Sequence, residues 1–269
     1  MARWLGGVLA VALVCGAAAG AARADEPAPS GEEVMRRVDA RPRGKTQTAR
    51  AVWHLLTSDG SERVRETRNY WRDARGTGSG KLHSQRLIIF EQPPDVKDTA
   101  FLTWSASSPD ADDDQWIYLP ALRKVRRIAV GDRGASFVGT DFSYDDLADR
   151  LVEADEHRLL RSEERDGERY YVVESTPRKK PAPYQKRVVF VNAKTWTVPR
   201  IEYFAPTGEL QKILEVHWHE VQGIWTWESL DMADVRSHHH TRVEIDQVAY
   251  DRPLGEDLFT ENAMRAGVP

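Results

Sequence analysis

The chain has one cysteine, Cys15, in 269 residues, so no disulfide can form within it and its stability has to come from an ordinary buried core. It lacks any excess of basic charge: 38 Lys and Arg stand against 42 Asp and Glu, which argues against a nucleic-acid partner. After the first two dozen residues it also lacks the roughly 20 consecutive apolar residues that a membrane-spanning helix needs. Motifs for covalent or phosphate chemistry are missing too. There is no G-x-S-x-G elbow, no H-E-x-x-H and no cysteine placed as a nucleophile. Gly44-Lys45-Thr46 resembles the end of a P-loop, but Asp39 stands where the first glycine belongs. Gly80-Lys81 is followed by Leu82 instead of Ser or Thr. The expectation is a protein that is not an enzyme and needs no cofactor.

What is present begins with a leader. Residues 1–24 carry Arg3, an apolar run from Val8 to Ala19 and the small-residue ending Ala22-Arg23-Ala24, the anatomy of a secretory signal peptide cleaved after Ala24. Val14 lacks the small side chain a lipoprotein signal places before its modified cysteine, so a soluble, exported protein is expected. Removing Arg3 and Arg23 with the leader leaves 36 basic against 42 acidic residues. Residues 25–31, DEPAPSG, read as a disordered linker, and residues 32–269 as one domain.

Ser30 and Glu33 have capping-box spacing, which predicts a short helix from Gly31 to Ala40. From Gln47 the period changes to two. Short segments such as QTARAVWHLL, KLHSQRLIIF, DQWIYL, KRVVFVN and TRVEIDQVAY alternate and are rich in β-branched and aromatic residues. Turn-formers such as Asp59-Gly60, Asp166-Gly167 and Gln222-Gly223 separate them, so an antiparallel meander of about eleven strands is expected. Helical signals recur at Ser143–Asp146, where capping spacing precedes Tyr144, Leu147 and Leu151 on one helical face, and at Glu256–Met264. The fold class is therefore α+β: a single domain with a large curved antiparallel sheet and a few helices packed on it.

The histidines offer weak metal signals. His217 and His219 would share one strand face, as would His238 and His240, but the strand near Trp225–Met232 is predicted to lie between the pairs. Exposed strand histidines and no metal site are expected. PDADDD, ending at Asp114, lacks the glycine and closing Glu of a calcium loop. PRKKPAP at Pro177–Pro183 reads as a basic loop between strands, or as a contact with anionic headgroups.

The most distinctive stretch is DQWIYLPALRKVRRIAV followed by GDRGASFVGTDFSYDDL. Trp116, Tyr118, Pro120, Lys124, Arg126 and Arg127, then Ser136, Phe137, Gly139, Thr140, Asp141, Phe142, Tyr144, Asp146 and Leu147, resemble the paired signature of the LolA-like outer membrane lipoprotein-sorting proteins. The resemblance runs from Val34–Asp39 to Asp257–Thr260. It implies a half-open β-barrel closed by a few helices, and a periplasmic carrier that holds acyl chains of lipids or lipoproteins in an apolar cavity and hands them between membranes. It also implies an RND- or MMPL-type inner-membrane transporter as a partner. The alternative, from a different functional class, is an accessory docking subunit of such an exporter with no cargo binding of its own. A monomer is expected. On this reading the acyl cavity is lined by Trp104, Trp116, Tyr118, Phe190, Tyr203 and Trp218. Trp116 and Tyr118 share one face of their strand and Ile117 and Leu119 the other, which places that strand between the cavity and a packed helix. Arg126 and Arg127 either pair with Asp141, Asp145 or Asp146, bind a headgroup, or dock a membrane partner.

Overall fold

The computed structural model describes Met1, residues 28–78 and residues 80–267, so the predicted signal peptide and its cleavage site lie outside the described residues. Thirteen antiparallel strands form one sheet that does not close. The first six run β1 (Thr46–Leu56), β2 (Glu62–Asp73), β3 (Leu82–Gln92), β4 (Ala100–Ala106), β5 (Asp114–Leu119) and β6 (Lys124–Arg127). The remainder are β7 (Asp155–Arg165), β8 (Glu168–Pro177), β9 (Lys186–Asn192), β10 (Arg200–Phe204), β11 (Leu210–Val221), β12 (Ile224–Asp234) and β13 (His239–Tyr250). Among the described residues two α-helices accompany them, α1 (Gly31–Asp39) and α2 (Glu261–Ala266).

The spatial order β6-β5-β4-β3-β2-β1-β13-β12-β11-β10-β9-β8-β7 is two meanders joined back to back. Within each meander, neighbours in sequence pair through short turns. The join is the long-range pairing of β1 with β13, with Ala51 opposite Ile245 and Trp53 opposite Val243. One topological consequence shapes everything else. β6 and β7 are consecutive in the chain but occupy opposite edges of the sheet, so residues 128–154 must travel from one edge to the other. They do so across the inner face, as a strap.

The strap carries the motif S-F-V-G-T-D-F-S-Y, and its aromatics fill the inside of the β1–β5 half. The Phe137 ring lies 5.8 Å from Trp53, 5.8 Å from Phe90 and 5.2 Å from Phe101, and Phe137 is fully buried. Rings at these separations gain packing beyond the area they bury. Val138 and Gly139 both have positive φ, 49° and 77°. This tight reversal is easy for glycine and strained for a β-branched residue, and the Arg65 guanidinium holds it by donating to the Val138 carbonyl.

The outer face of the same half is covered by the C-terminal segment. Tyr70, Leu87 and Leu102 pack there against Phe259 and Met264. At the other end of the sheet α1 covers the inner face, with Val34, Met35 and Val38 against Val173, Val189 and Val191. Ser30 caps α1 by accepting from the Glu33 N–H at 3.1 Å, as the capping-box spacing predicts. Gly31 sits so close to β7 that an added Cβ would meet the Leu159 nitrogen at 2.6 Å and the Arg158 carbonyl carbon at 2.7 Å. Both are backbone atoms that cannot swing away. Gly31→Val should therefore push α1 off the sheet and destabilise the fold by about 1–3 kcal/mol, read as a lowered thermal midpoint. An unchanged midpoint would show that α1 is not seated as described.

Three sequence expectations change. The eleven expected strands become thirteen. β6 is only four residues long, and β7 (DEHRLLRSEER) is an edge strand whose polar residues on both faces hide the alternation that marks a half-buried strand. The expected helix at 144–151 is a single 3₁₀ turn, Asp145–Leu147. Its capping hydrogen bonds do form, Ser143 N–H to Asp146 at 2.8 Å and Asp146 N–H to Ser143 at 3.2 Å. Propagation then stops because Ala148 turns extended and the side chain of Asp149 is drawn into the sheet. The C-terminal helix is split into a 3₁₀ turn, Glu256–Phe259, and α2.

Candidate functional site

Where the strap aromatics end, the inner face stays open and leaves a cavity of about 400 Å³. Its floor comes from alternate residues of β9 to β13 together with β1. On β11 the even positions Leu214, Val216 and Trp218 point inward, Leu214 and Val216 being buried, while Glu215 and His217 point out to solvent. Val189, Ile201, Leu230 and Trp53 extend this floor. Met35 and Val38 of α1 form one wall. The strap residues Leu147, Ala148, Leu151 and Val152 form the other. The volume falls within the roughly 300–1,000 Å³ of small-molecule sites, and the lining is mostly apolar with a few placed polar groups.

The strap is held over this cavity by four ionic anchors. Asp145 accepts from Arg187 of β9 at 2.8 Å. Asp146 lies 3.8 Å from the Lys212 ammonium and accepts from the Tyr184 hydroxyl at 2.9 Å. Asp149 accepts from Trp71 at 2.7 Å, Ser84 at 2.6 Å and Arg86 at 3.1 Å. Arg150 grips Asp155 of β7 with two hydrogen bonds, 2.7 and 2.6 Å. A ring nitrogen of His157 adds a hydrogen bond of 2.8 Å to the Val152 carbonyl, which fixes the proton on that nitrogen because a carbonyl only accepts.

Titration behaviour follows from these contacts. Burial by itself would raise the Asp149 carboxyl, but the Arg86 charge and the Ser84 and Trp71 donors outweigh it and hold the group down to about 2. Burial pushes the phenols of Tyr184 and Tyr203 well above the ordinary range, with the neighbouring Asp146 charge adding to it. Both are neutral at physiological pH, and Tyr184 donates to Asp146. Two polar atoms under the strap, Asp146 Oδ1 and Arg187 Nη1, are buried without a partner among the described residues.

Of the residues predicted from the sequence to line the cavity, Tyr203 and Trp218 do line it. Trp104 and Trp116 stand on the opposite face, in a shallower pocket of about 310 Å³ against Thr260, Glu261 and Arg265. Tyr118 belongs to the same outer cluster. Phe190 also points outward, beneath the guanidinium groups of Arg161 and Arg200 at 6.0 and 5.8 Å. β5 does lie between inner and outer cover, but its inner side meets the strap, with the Gln115 side chain donating to the Tyr144 carbonyl at 2.8 Å. The expected pairing of Arg126 or Arg127 with Asp141, Asp145 or Asp146 is not what forms: Arg127 pairs with Asp114, and those three acids face inward to Thr241, Arg187 and Lys212. Both arginines are exposed. Sequence reasoning passed over Trp53, Leu214, Val216 and Leu230, although the alternation Lys212-Leu214-Val216-Trp218 marks Leu214 and Val216 as part of one face with Trp218.

β12 separates His217 and His219 from β13, as expected. His238 lies in the preceding turn instead of the strand. Among the described residues no group of His, Cys, Asp and Glu is arranged to hold a metal ion, and no helix is long and apolar enough to cross a membrane.

The fold has solved relatives. A Vibrio parahaemolyticus domain assigned to the outer membrane lipoprotein-sorting proteins superposes with a TM-score of 0.81 at 26 % identity, covering 87 % of this chain and 98 % of that one. A DUF1329 family protein from Desulfovibrio piger also reaches 0.81, at 29 % identity, covering 87 % and 97 %. A LolA superfamily protein from Nitrosomonas europaea, at 18 % identity and a TM-score of 0.68 over 87 % and 99 %, shares the fold. No curated protein matches the sequence. A family model described as "-like: Uncharacterized protein" matches residues 83–266, a span that includes the strap and most of the cavity floor. With the signature residues of the strap and the half-open sheet, these relatives place the chain in the LolA-like family of outer membrane lipoprotein-sorting proteins.

Proposed function

We propose that this protein is a periplasmic carrier that takes an acyl chain of a lipid or lipoprotein into the inner-face cavity and hands it from one membrane to another. The observation that carries the reading is the apolar cavity of about 400 Å³ enclosed between α1, the strap and β9–β13. Each CH₂ moved out of water is worth about 0.8 kcal/mol, so leaving one long acyl chain exposed costs on the order of 10 kcal/mol. A carrier has to cover that tail completely, and a rigid curved sheet with one apolar face does so without a folding step.

Release needs neither nucleotide nor catalysis. An acceptor of similar apolarity is enough, with the strap as the element that lets the chain in and out. The contacts that opening has to break are the ion pairs of Asp145 with Arg187, Asp146 with Lys212, Asp149 with Arg86 and Arg150 with Asp155. An RND- or MMPL-type transporter of the inner membrane is the partner we associate with this role.

The test is to purify the protein from the periplasm, extract it with organic solvent and identify bound lipid by mass spectrometry. About one amphiphile per chain is expected, together with a saturable change in tryptophan emission when a fatty acid is added, since Trp53, Trp71 and Trp218 line the cavity. Protein that yields no lipid and responds to no amphiphile would end the carrier reading.

A further inference from the structure

The charged groups around the cavity pair off with one exception. Five carboxylates line it, those of Asp39, Asp145, Asp146, Asp149 and Asp155. Each is already engaged, by Arg43, Arg187, Lys212, Arg86 and Arg150 respectively. Arg41 also lines the cavity, and among the described residues no carboxylate pairs with it. Its Nε donates to the Val38 carbonyl at 3.2 Å, at the end of α1, and its guanidinium lies 4.7 Å from the centre of the Trp218 ring. Among the described residues its two terminal amino groups have no acceptor. An unpaired cation beside an apolar cavity is costly unless the occupant supplies the counter-charge.

The surroundings of Arg41 form a polar end to an otherwise apolar chamber. Gln47 donates to the Tyr250 hydroxyl at 3.0 Å, and that hydroxyl lies 2.8 Å from the Thr226 hydroxyl. All three residues line the cavity. Trp227, 6.1 Å from Trp218, is 39 % exposed, so this end opens to solvent. Indole and guanidinium groups together suit the place where an apolar tail meets a polar head.

We infer that Arg41, seated on Trp218 at the open end of the cavity, binds the anionic head of the cargo, so that the preferred ligand is an amphiphile whose apolar tail ends in a phosphate or a carboxylate. The inference rests on the carrier reading and adds the headgroup chemistry to it. Burial lowers the Arg41 pKa to about 10, with Arg43 contributing, so the group is still charged at neutral pH and gains from an anion beside it. Arg43 does not share the role because Asp39 occupies it.

The experiment measures displacement of uncharged N-phenyl-1-naphthylamine from the full chain by three amphiphiles with the same tail: 1-palmitoyl lysophosphatidic acid, palmitate and uncharged 1-monopalmitoylglycerol. Wild-type protein should bind at least one of the two anions roughly ten- to a hundredfold more tightly than the uncharged compound. Which anion leads distinguishes a phosphate from a carboxylate head. Arg41→Gln should erase that preference, weakening the anions by that factor and the naphthylamine and the monoglyceride far less, and Arg41→Lys should restore part of it. Equal wild-type binding of all three, or equal weakening of all three by Arg41→Gln, overturns the inference and leaves the carrier reading intact. Failure of the wild-type protein to bind the naphthylamine or any of the amphiphiles overturns both.

Discussion

Asp149→Ala should destabilise the protein by about 3–5 kcal/mol, the usual consequence of deleting one partner of a buried charge pair. The carboxylate is 17 % exposed and satisfies three donors from two strands, the Trp71 indole, the Ser84 hydroxyl and the Arg86 guanidinium. Removing it leaves Arg86 charged against an apolar cavity and unties the strap from β2 and β3. Asp149→Asn should be milder, because an amide oxygen can still accept from Trp71 or Ser84 but cannot offset the charge. Denaturant unfolding of the two variants measures both effects, and a loss below about 1 kcal/mol for the alanine variant would refute the anchor.

The same carboxylate sets a pH dependence. Its pKa is depressed, from 3.8 to about 2, so the stability it contributes is fully present above the unfolded value and is lost as pH falls through the folded one. A shift of this size corresponds to roughly 2 kcal/mol. Wild-type stability should therefore fall between about pH 4 and pH 2, and Asp149→Asn should show a shallower decline across that window. Identical slopes would mean that other carboxylates carry the acid sensitivity.

Val216→Glu should abolish acyl binding. Val216 is 7 % exposed, in the middle of the β11 face that floors the cavity, with Leu214 and Trp218 on either side of it. A carboxylate there either stays ionised without a partner or takes up a proton, and both cost several kcal/mol in an apolar site. Binding loss should exceed a hundredfold in a variant whose thermal transition shows that it still folds. The contrasting variant is Trp116→Ala. Trp116 packs at 5.1 Å from Trp104 beneath the C-terminal segment, so its removal should lower stability by about 2–4 kcal/mol and leave acyl affinity unchanged. A Trp116→Ala protein that folds but no longer binds would move the cargo to the outer face.

That pair of variants marks where sequence reading stopped. Trp116 and Tyr118 alternate with Ile117 and Leu119, so both faces of β5 are apolar and periodicity cannot say which one meets the ligand. The outcome depends on two distant segments. The strap aromatics occupy the Ile117 side through Phe137 and Tyr144, and Phe259 and Met264 occupy the Trp116 side. β11 was more legible. Lys212, Leu214, Val216 and Trp218 alternate against Ile213, Glu215, His217 and His219, and the less polar set is the cavity floor. β7 was not legible, because an edge strand covered mainly by α1 has no need of an apolar face and carries charge instead.

The local codes in the chain determined what local physics can determine: the capped start of α1 at Ser30, the alternation of most strands, the turns between neighbours and the signature that names the family. The tertiary structure alone decided the pairing of β1 with β13, since residues about 200 positions apart in sequence come together only when the two meanders pack. That pairing sends β6 and β7 to opposite edges and forces residues 128–154 across the inner face. It also decided the fate of the 144–151 segment. The capping hydrogen bonds of a helix are all in place there, but one turn of helix is a marginal structure in water, and the three donors that Asp149 finds in β2 and β3 outweigh it.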